Sequence, residues 1–255
     1  MALLELKGLT KHFGGLAAVD NLDLVVGSGE IVGLIGPNGA GKTTAFNLIA
    51  GFLPPTSGSV LFKREDITNL KPNKIAGMGV TRTFQLTTLF GDMTVADNLY
   101  IAVHLQAHPS FFGSIFHTPS TKSKEQKLRE RTMALMDSMG LSELQDEVAM
   151  NLPHGHQRLL GIAMAIATNP EVVLLDEPVS GMNQEETTNT MRLINDIREE
   201  GITVLLVEHN MRTVMELCDR IAVLNYGNKI AEGTPKEISE DEEVIKAYLG
   251  DEDAA

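Results

Sequence analysis

Gly36-Pro37-Asn38-Gly39-Ala40-Gly41-Lys42-Thr43-Thr44 decides how the rest of the chain is read. Glycine, four residues, then Gly-Lys-Thr is the spacing of a loop that wraps phosphate. Its glycines let the backbone curl until several N–H groups converge on one point, a concavity suited to phosphate oxygens. Lys42 can reach the β- and γ-phosphates as a point charge, and the Thr43 hydroxyl suits Mg2+. The flanks agree. Residues 30–35 (EIVGLI) read as a short apolar strand, and residues 42–50 as the helix whose N-terminus faces the anion. The stretch predicts binding of a nucleoside triphosphate.

Two later strands end in the groups such a loop needs. Residues 172–178 (VVLLDEP) deliver two carboxylates at the end of an apolar strand, the edge where open α/β sheets hold ligands. Asp176 is expected to hold Mg2+, through water, and Glu177 to polarise the attacking water as general base. Residues 203–209 (TVLLVEH) repeat the geometry, and His209 is expected to donate to the γ-phosphate and stabilise charge in transfer. Gln85, closing a strand over 80–85, suits Mg2+ ligation or orientation of water. Upstream, Phe13 stands beside Gly14 and Gly15, either as ordinary core or as a flat apolar face for a base.

Further strands are expected over 3–9, 22–26, 59–62, 220–224 and 229–232, with one or two closing helices over 235–249. Thr94 and Asp97 resemble a capping box opening a helix that runs to about Leu105. A loop rich in Pro, Ser, Thr and Phe spans 107–121. The helix that follows, over 122–139, has Leu128, Leu135, Met136 and Met139 on one face. Residues from roughly 90 to 165 thus read as almost all helix between flanks that alternate strand and helix, which predicts a helical insertion in an α/β core. The amphipathic stretch 184–200 turns Met191, Ile194 and Ile197 inward.

Composition narrows the options. The 255 residues carry a formal net charge of −13, against the basic surface that nucleic acid requires. Much of that charge lies in residues 232–255, with nine acidic residues against two basic ones, and reads as a solvated end. A single cysteine, Cys218, excludes an internal disulfide and suits a reducing compartment. It follows Val214 and Leu217 at helical spacing, as a small buried hydrophobe does. The opening MALLELKGLTKHFGG lacks the basic-then-apolar pattern of a secretory leader, and no run approaches the ~18 apolar residues of a membrane span. Membrane association is expected only through a partner. His104 and His108 are four apart but have no HExxH glutamate between them, so no metal site is expected beyond nucleotide-bound magnesium.

With these residues placed, the chain resembles an ATP-binding subunit of an ABC transporter over nearly its full length. The resemblance implies a P-loop NTPase core of ABC ATPase type, formed by residues 1–89 and 166–255. It also implies a small antiparallel β region and an inserted α-helical subdomain over 90–165. ATP and Mg2+ would be bound by Phe13, which stacks on adenine, by Val19 and by residues 36–44. Thr43, Gln85 and Asp176 would serve the metal, and Lys42, Gln85, Glu177 and His209 the catalysis. Residues 180–183 would form the loop at a dimer seam, and Gln85 the link to a membrane partner. The family's signature, usually close to Leu-Ser-Gly-Gly-Gln, is here Leu152-Pro153-His154-Gly155-His156, with Gly155 and His156 expected on the nucleotide of a second, head-to-tail subunit.

Pro153 replaces the usual serine and His156 the usual glutamine, so hydrolysis is expected to be reduced but not abolished. Pro153 still suits a helix N-terminus. Residues 9–15 (LTKHFGG), 82–85 (RTFQ), the long insertion around 109–123 and the ending 247–250 (AYLG) resemble the branched-chain amino acid uptake ATPases. Relatives serving urea or short amides, and a nucleotide-gated binding subunit with weak hydrolysis, remain open alternatives. Integral membrane permease subunits are the implied partners, and the cytoplasmic membrane face the implied location.

Overall fold

Alternating apolar residues build the first layer. In the computed structural model, which describes residues 2–83, 89–107 and 119–249, β1 (Ala2–Phe13) pairs antiparallel with β2 (Leu16–Gly27), Leu6 opposite Leu24. Leu4, Leu6, Leu22, Leu24 and Val26 are thereby buried. β3 (Ile31–Ile35) is buried along its whole length and feeds the phosphate loop and α1 (Lys42–Ile49). β4 (Ser57–Phe62) and the short β5 (Glu65–Asp66) complete an antiparallel sheet in the order β2-β1-β4-β5. α2 (Pro72–Gly77), with proline in its first turn, then leads to β6 (Val80–Arg82).

Three helices follow: α3 (Val95–Ala107), α4 (Pro119–Ser138) and α5 (His154–Ala167), each in contact with the other two. The Thr94 hydroxyl accepts the Asp97 N–H at 3.1 Å, the N-terminal cap expected for α3. Alternation then resumes with β7 (Val172–Asp176), α6 (Gln184–Glu199), β8 (Thr203–Val207), α7 (Met211–Leu217), β9 (Arg220–Asn225), β10 (Asn228–Gly233), α8 (Pro235–Glu240) and α9 (Glu242–Leu249).

The second sheet runs β10-β9-β3-β8-β7-β6, parallel except for β10. Its central strands β3, β7 and β8 are buried at every position and mostly apolar because both faces are covered. Val173, Leu175, Val204 and Leu206 face a core shared with α5, α6 and α7. Leu174, Leu205, Val32 and Leu34 face the other way, onto Phe46, Phe62 and the antiparallel sheet. Because the β3, β7 and β8 strands are parallel, their C-terminal ends gather at one edge, and the phosphate loop, Asp176 and the 208–209 segment emerge there together.

Several boundaries differ from expectation. β1 and β2 extend to a two-residue turn at Gly14 and Gly15, and β6 covers Val80–Arg82, while the expected strand end at Gln85 lies outside the described residues. The loop expected over 107–121 is partly replaced by α4, which begins at Pro119, while 108–118 lie outside the description. α2 and β5 went unforeseen because each is too short to carry a period.

Candidate nucleotide site

The phosphate loop is shaped by backbone contacts that only glycine permits. Gly36 has φ +148° and Gly41 φ +106°. A Cβ would sit 2.1 Å from the Leu224 carbonyl oxygen at the first and 2.2 Å from that of Ala18 at the second. The loop is thus pressed between β9 and β2, and the Gly227 N–H donates to the Ala40 carbonyl at 3.0 Å to hold it there. The result is a cleft of about 280 Å3 lined by residues 38–44, Ala17, Ala18, Glu177 and Tyr226. Lys42 Nζ donates to the Gly36 and Pro37 carbonyls at 2.6 and 2.8 Å. Burial pulls its pKa below the usual lysine value, an effect opposed by the nearby charges of Glu177 and Asp176. An ammonium held only by loop carbonyls, beside open space, fits a polyanionic ligand.

Asp176 ends β7 and is almost wholly buried. Its Oδ2 accepts Arg82 Nη2 at 2.7 Å, and its N–H donates to Thr83 Oγ1 at 3.2 Å. Glu177, next along, has φ +48°, a left-handed conformation that costs a side-chain-bearing residue about 1–3 kcal/mol. Three bonds hold it: its N–H donates to the Val207 carbonyl at 2.9 Å, and its own carbonyl accepts Arg158 Nη1 at 2.7 Å and the Ser180 N–H at 3.3 Å. His209 Nδ1 then lies 3.7 Å from Glu177 Oε1. Beneath both, the fully buried Glu208 carboxylate accepts the N–H groups of Val179, His209 and Asn210 at 3.1, 3.0 and 3.2 Å.

Among the described residues no group of three His, Cys, Asp or Glu side chains is placed to cage a metal. Magnesium bound chiefly by phosphates needs only one or two protein oxygens. The Thr43 hydroxyl at the cleft and the Asp176 carboxylate at the strand tip have the right donor chemistry for that. His104 stacks on Tyr100, ring centroids 6.0 Å apart, and His108 lies outside the described residues.

Other expected site residues lie apart from this cleft. Phe13 is half exposed, with Lys11 Nζ 5.3 Å from its ring centre, and the aromatic lining the cleft is Tyr226. Val19, expected on the nucleotide, is fully buried, with Cγ2 3.4 Å from a Cβ built on Gly41, where it supports the loop from within. Pro153 is the N-cap of α5, with no side-chain hydrogen bond at that end. Gly155 and His156 line a separate cleft of about 350 Å3 between the α4 end, α5 and α6. Gly155 packs there against the Glu186 carboxylate, whose partner in a capping box is Asn183.

Sequence reasoning missed Arg82, Asn47, Arg158 and Glu208 as parts of the site. Arg82, Arg158 and Glu208 each lie within a motif-bearing stretch, 82–85, 151–158 and 203–209, but were given no role in the site. For Asn47 and Tyr226 there was no signal.

A phosphate loop after β3, a histidine just past the neighbouring β8 and a carboxylate pair at the tip of β7 beyond it, at one edge of the same sheet, define a nucleotide-binding P-loop ATPase. Comparisons with known proteins refine this. The ABC transporter family matches residues 19–180, and the C-terminal family described as branched-chain amino acid ATP-binding cassette transporter matches residues 228–254.

The chain is 44% identical over 250 residues to the high-affinity branched-chain amino acid transport ATP-binding protein LivG of Escherichia coli K12, covering 98% of each. It is 35% identical to the lipopolysaccharide export system ATP-binding protein LptB of the same strain, covering 99% of each. Among solved structures, the ADP conformation of an ATP-binding cassette of an ABC transporter superposes with a TM-score of 0.85 at 32% identity, covering 98% of this chain and 99% of that one. The chain belongs to the ABC transporter family as one of its ATP-binding cassette ATPases.

Proposed function

We propose that this chain hydrolyses ATP to drive import of branched-chain amino acids through membrane-embedded partner subunits. The observation that carries the catalytic part is the arrangement of Lys42 in the phosphate cleft, Glu177 at its edge and His209 3.7 Å from Glu177. The cargo class is supported by the likeness to LivG and by the C-terminal family match.

In this reading the loop amides and Lys42 grip the β- and γ-phosphates, with Phe13 on the adenine. Glu177 takes the proton of a water attacking the γ-phosphorus in line, while His209 and Lys42 stabilise charge on the phosphoryl oxygens. Thr43, Asp176 and Gln85 hold magnesium, which neutralises phosphate charge when bound. Gly155 and His156 lie on their own cleft, so they serve the nucleotide of a second subunit, identical or paralogous, placed head to tail. Closure by that subunit excludes water from the γ-phosphate. The helical subdomain over 90–165 presents this signature.

No helix among the described residues is long and apolar enough to cross a membrane, so the reading places the chain on the cytoplasmic membrane face through permease subunits. Exposed Phe90, Met93 and Met150 suit their docking. Backbone bonds from Met150 to Gly91 and from Ala149 to Met93, 3.1 and 2.9 Å, join these residues just after segment 84–88.

Two experiments test the proposal. Steady-state ATPase activity should be present in the parent and lost in Glu177→Gln, and a variant that keeps most of a substantial parent rate would remove Glu177 from the mechanism. Tagged protein captured from solubilised membranes should bring multi-span subunits and a branched-chain amino acid binding partner; a urea or amide system there would replace the cargo assignment.

A second reading, a nucleotide-gated binding subunit with weak turnover, is favoured by one observation: the α5 N-terminus has no side-chain hydroxyl or cap at Pro153. A parent rate no higher than that of Glu177→Gln would support it.

A further inference from the structure

The geometry points to Arg82 as a positioning residue that sets the Asp176 carboxylate against the phosphate-loop helix and so governs how the site takes up its divalent cation.

Arg82 ends β6, the edge strand of the parallel sheet, and pairs in register with Leu174, two residues before Asp176. Its guanidinium reaches two different elements. Nη1 donates to Asn47 Oδ1 on α1 at 2.6 Å, and Nη2 donates to Asp176 Oδ2 at 2.7 Å. The plane is braced by the Phe46 ring, whose centre is 5.6 Å from Cζ. Arginine and aspartate side chains are 7% and 4% exposed, so solvent screening does little to loosen the pair. The next residue joins in: Thr83 Oγ1 accepts the Asp176 N–H, and the Thr83 N–H donates to the Leu174 carbonyl at 2.9 Å.

Residues 82 and 83 therefore clasp both the side chain and the main chain of Asp176. They do so immediately before the segment that contains Gln85.

A planar guanidinium with two donors at fixed separation suits this task in a way a lysine ammonium does not. With one carboxylate oxygen committed to Arg82, Asp176 has its other oxygen for a cation or its water, at an orientation set by α1 through Asn47. Groups that orient a metal ligand in this manner typically change metal affinity about 10–100-fold when removed. The inference rests on Asp176 being the metal carboxylate, as proposed above.

The test uses the purified full chain and a fluorescent ATP analogue, with affinity measured in EDTA and in saturating Mn2+. The readout is the ratio of the two affinities, which a loss of folded protein does not alter. Arg82→Met should cut the manganese gain, read as that ratio, by about tenfold. Arg82→Lys should fall between the two, and Asn47→Ala should shift the ratio in the same direction as Arg82→Met. Because Arg82→Met leaves a buried carboxylate alone, the double variant Arg82→Met/Asp176→Asn provides a form without that charge, and it should match Asp176→Asn alone.

If Asp176→Asn lowers the ratio but Arg82→Met and Arg82→Lys keep it, the role of Arg82 is wrong and the metal assignment stands. If Asp176→Asn itself keeps the parent ratio, both are wrong.

Discussion

Arg158 Nη1 donates to the backbone carbonyl of Glu177 at 2.7 Å, joining the signature helix to the carboxylate-bearing loop of the same chain. Glu177 is in a left-handed conformation at φ +48°, and such strain persists only where surrounding contacts over-determine it. Arg158 is one of those contacts, so the orientation of the proposed base depends on a residue of the helical insertion.

Arg158→Met should therefore lower the ATPase rate with little change in nucleotide affinity. A hydrogen bond from a charged donor contributes about 1.5–3 kcal/mol, which predicts a kcat roughly tenfold to a hundredfold lower. Steady-state kinetics paired with a binding titration checks this. A rise in KM at constant kcat would place Arg158 in binding instead.

Lys42→Ala removes the ammonium that otherwise faces the cleft and its bonds to the Gly36 and Pro37 carbonyls, of which Pro37 still accepts the Ala40 N–H at 3.2 Å. Nucleotide affinity should fall at least tenfold, corresponding to about 1.4 kcal/mol or more. Equilibrium titration with ATP and magnesium measures it; unchanged affinity would sink the whole phosphate-loop reading.

Pro153→Ser supplies a cap to α5, which has none. A serine N-cap stabilises a helix by about 1 kcal/mol, and its hydroxyl also becomes available to the facing subunit's phosphate. Both the melting temperature and the ATPase rate should rise. A variant more stable but no faster would confine Pro153 to a structural role.

Glu208→Ala leaves the N–H groups of Val179, His209 and Asn210 without their carboxylate. Only the Val179 donor is fully buried, and an unsatisfied buried donor costs about 1–3 kcal/mol, so destabilisation of that size is expected from denaturant unfolding. Loss below about 1 kcal/mol would mean that water replaces the carboxylate readily.

The Cys218 thiol, packed beside Gly33 and Val214, is pushed up to about 12 by burial, with further contributions from the charges of Asp219 and Glu208. The folded state holds this proton more tightly than the unfolded one. Its stabilising contribution is whole below the unfolded thiol pKa near 8.5, and is lost as pH rises from there through about 12. A thiol reagent at pH 8 should react slowly with native protein and fully after denaturation. Rapid native labelling would show that the site opens.

Much of this was legible in the linear chain because the signals are local. The glycine spacing of residues 36–44, the apolar runs ending at Asp176 and His209, and the acidic composition each belong to a single segment. They sufficed to anticipate a parallel sheet with ligand groups at one edge.

Partnerships across the sheet were not legible. Arg82 and Asp176 are 94 positions apart and meet only because β6 lies beside β7. The full burial of Val19 was not legible either, since bulges along the β1–β2 pairing decide which side chains of β2 turn inward.

By itself the amino-acid sequence determined that a triphosphate would be gripped by main-chain amides, because loop curvature follows from glycine placement within nine residues. Only the tertiary structure decided which cation steadies the Asp176 carboxylate, which arginine holds the Glu177 backbone and which aromatic flanks the cleft. Those contacts arise when strands distant in the chain become neighbours, and no local pattern encodes the pairing.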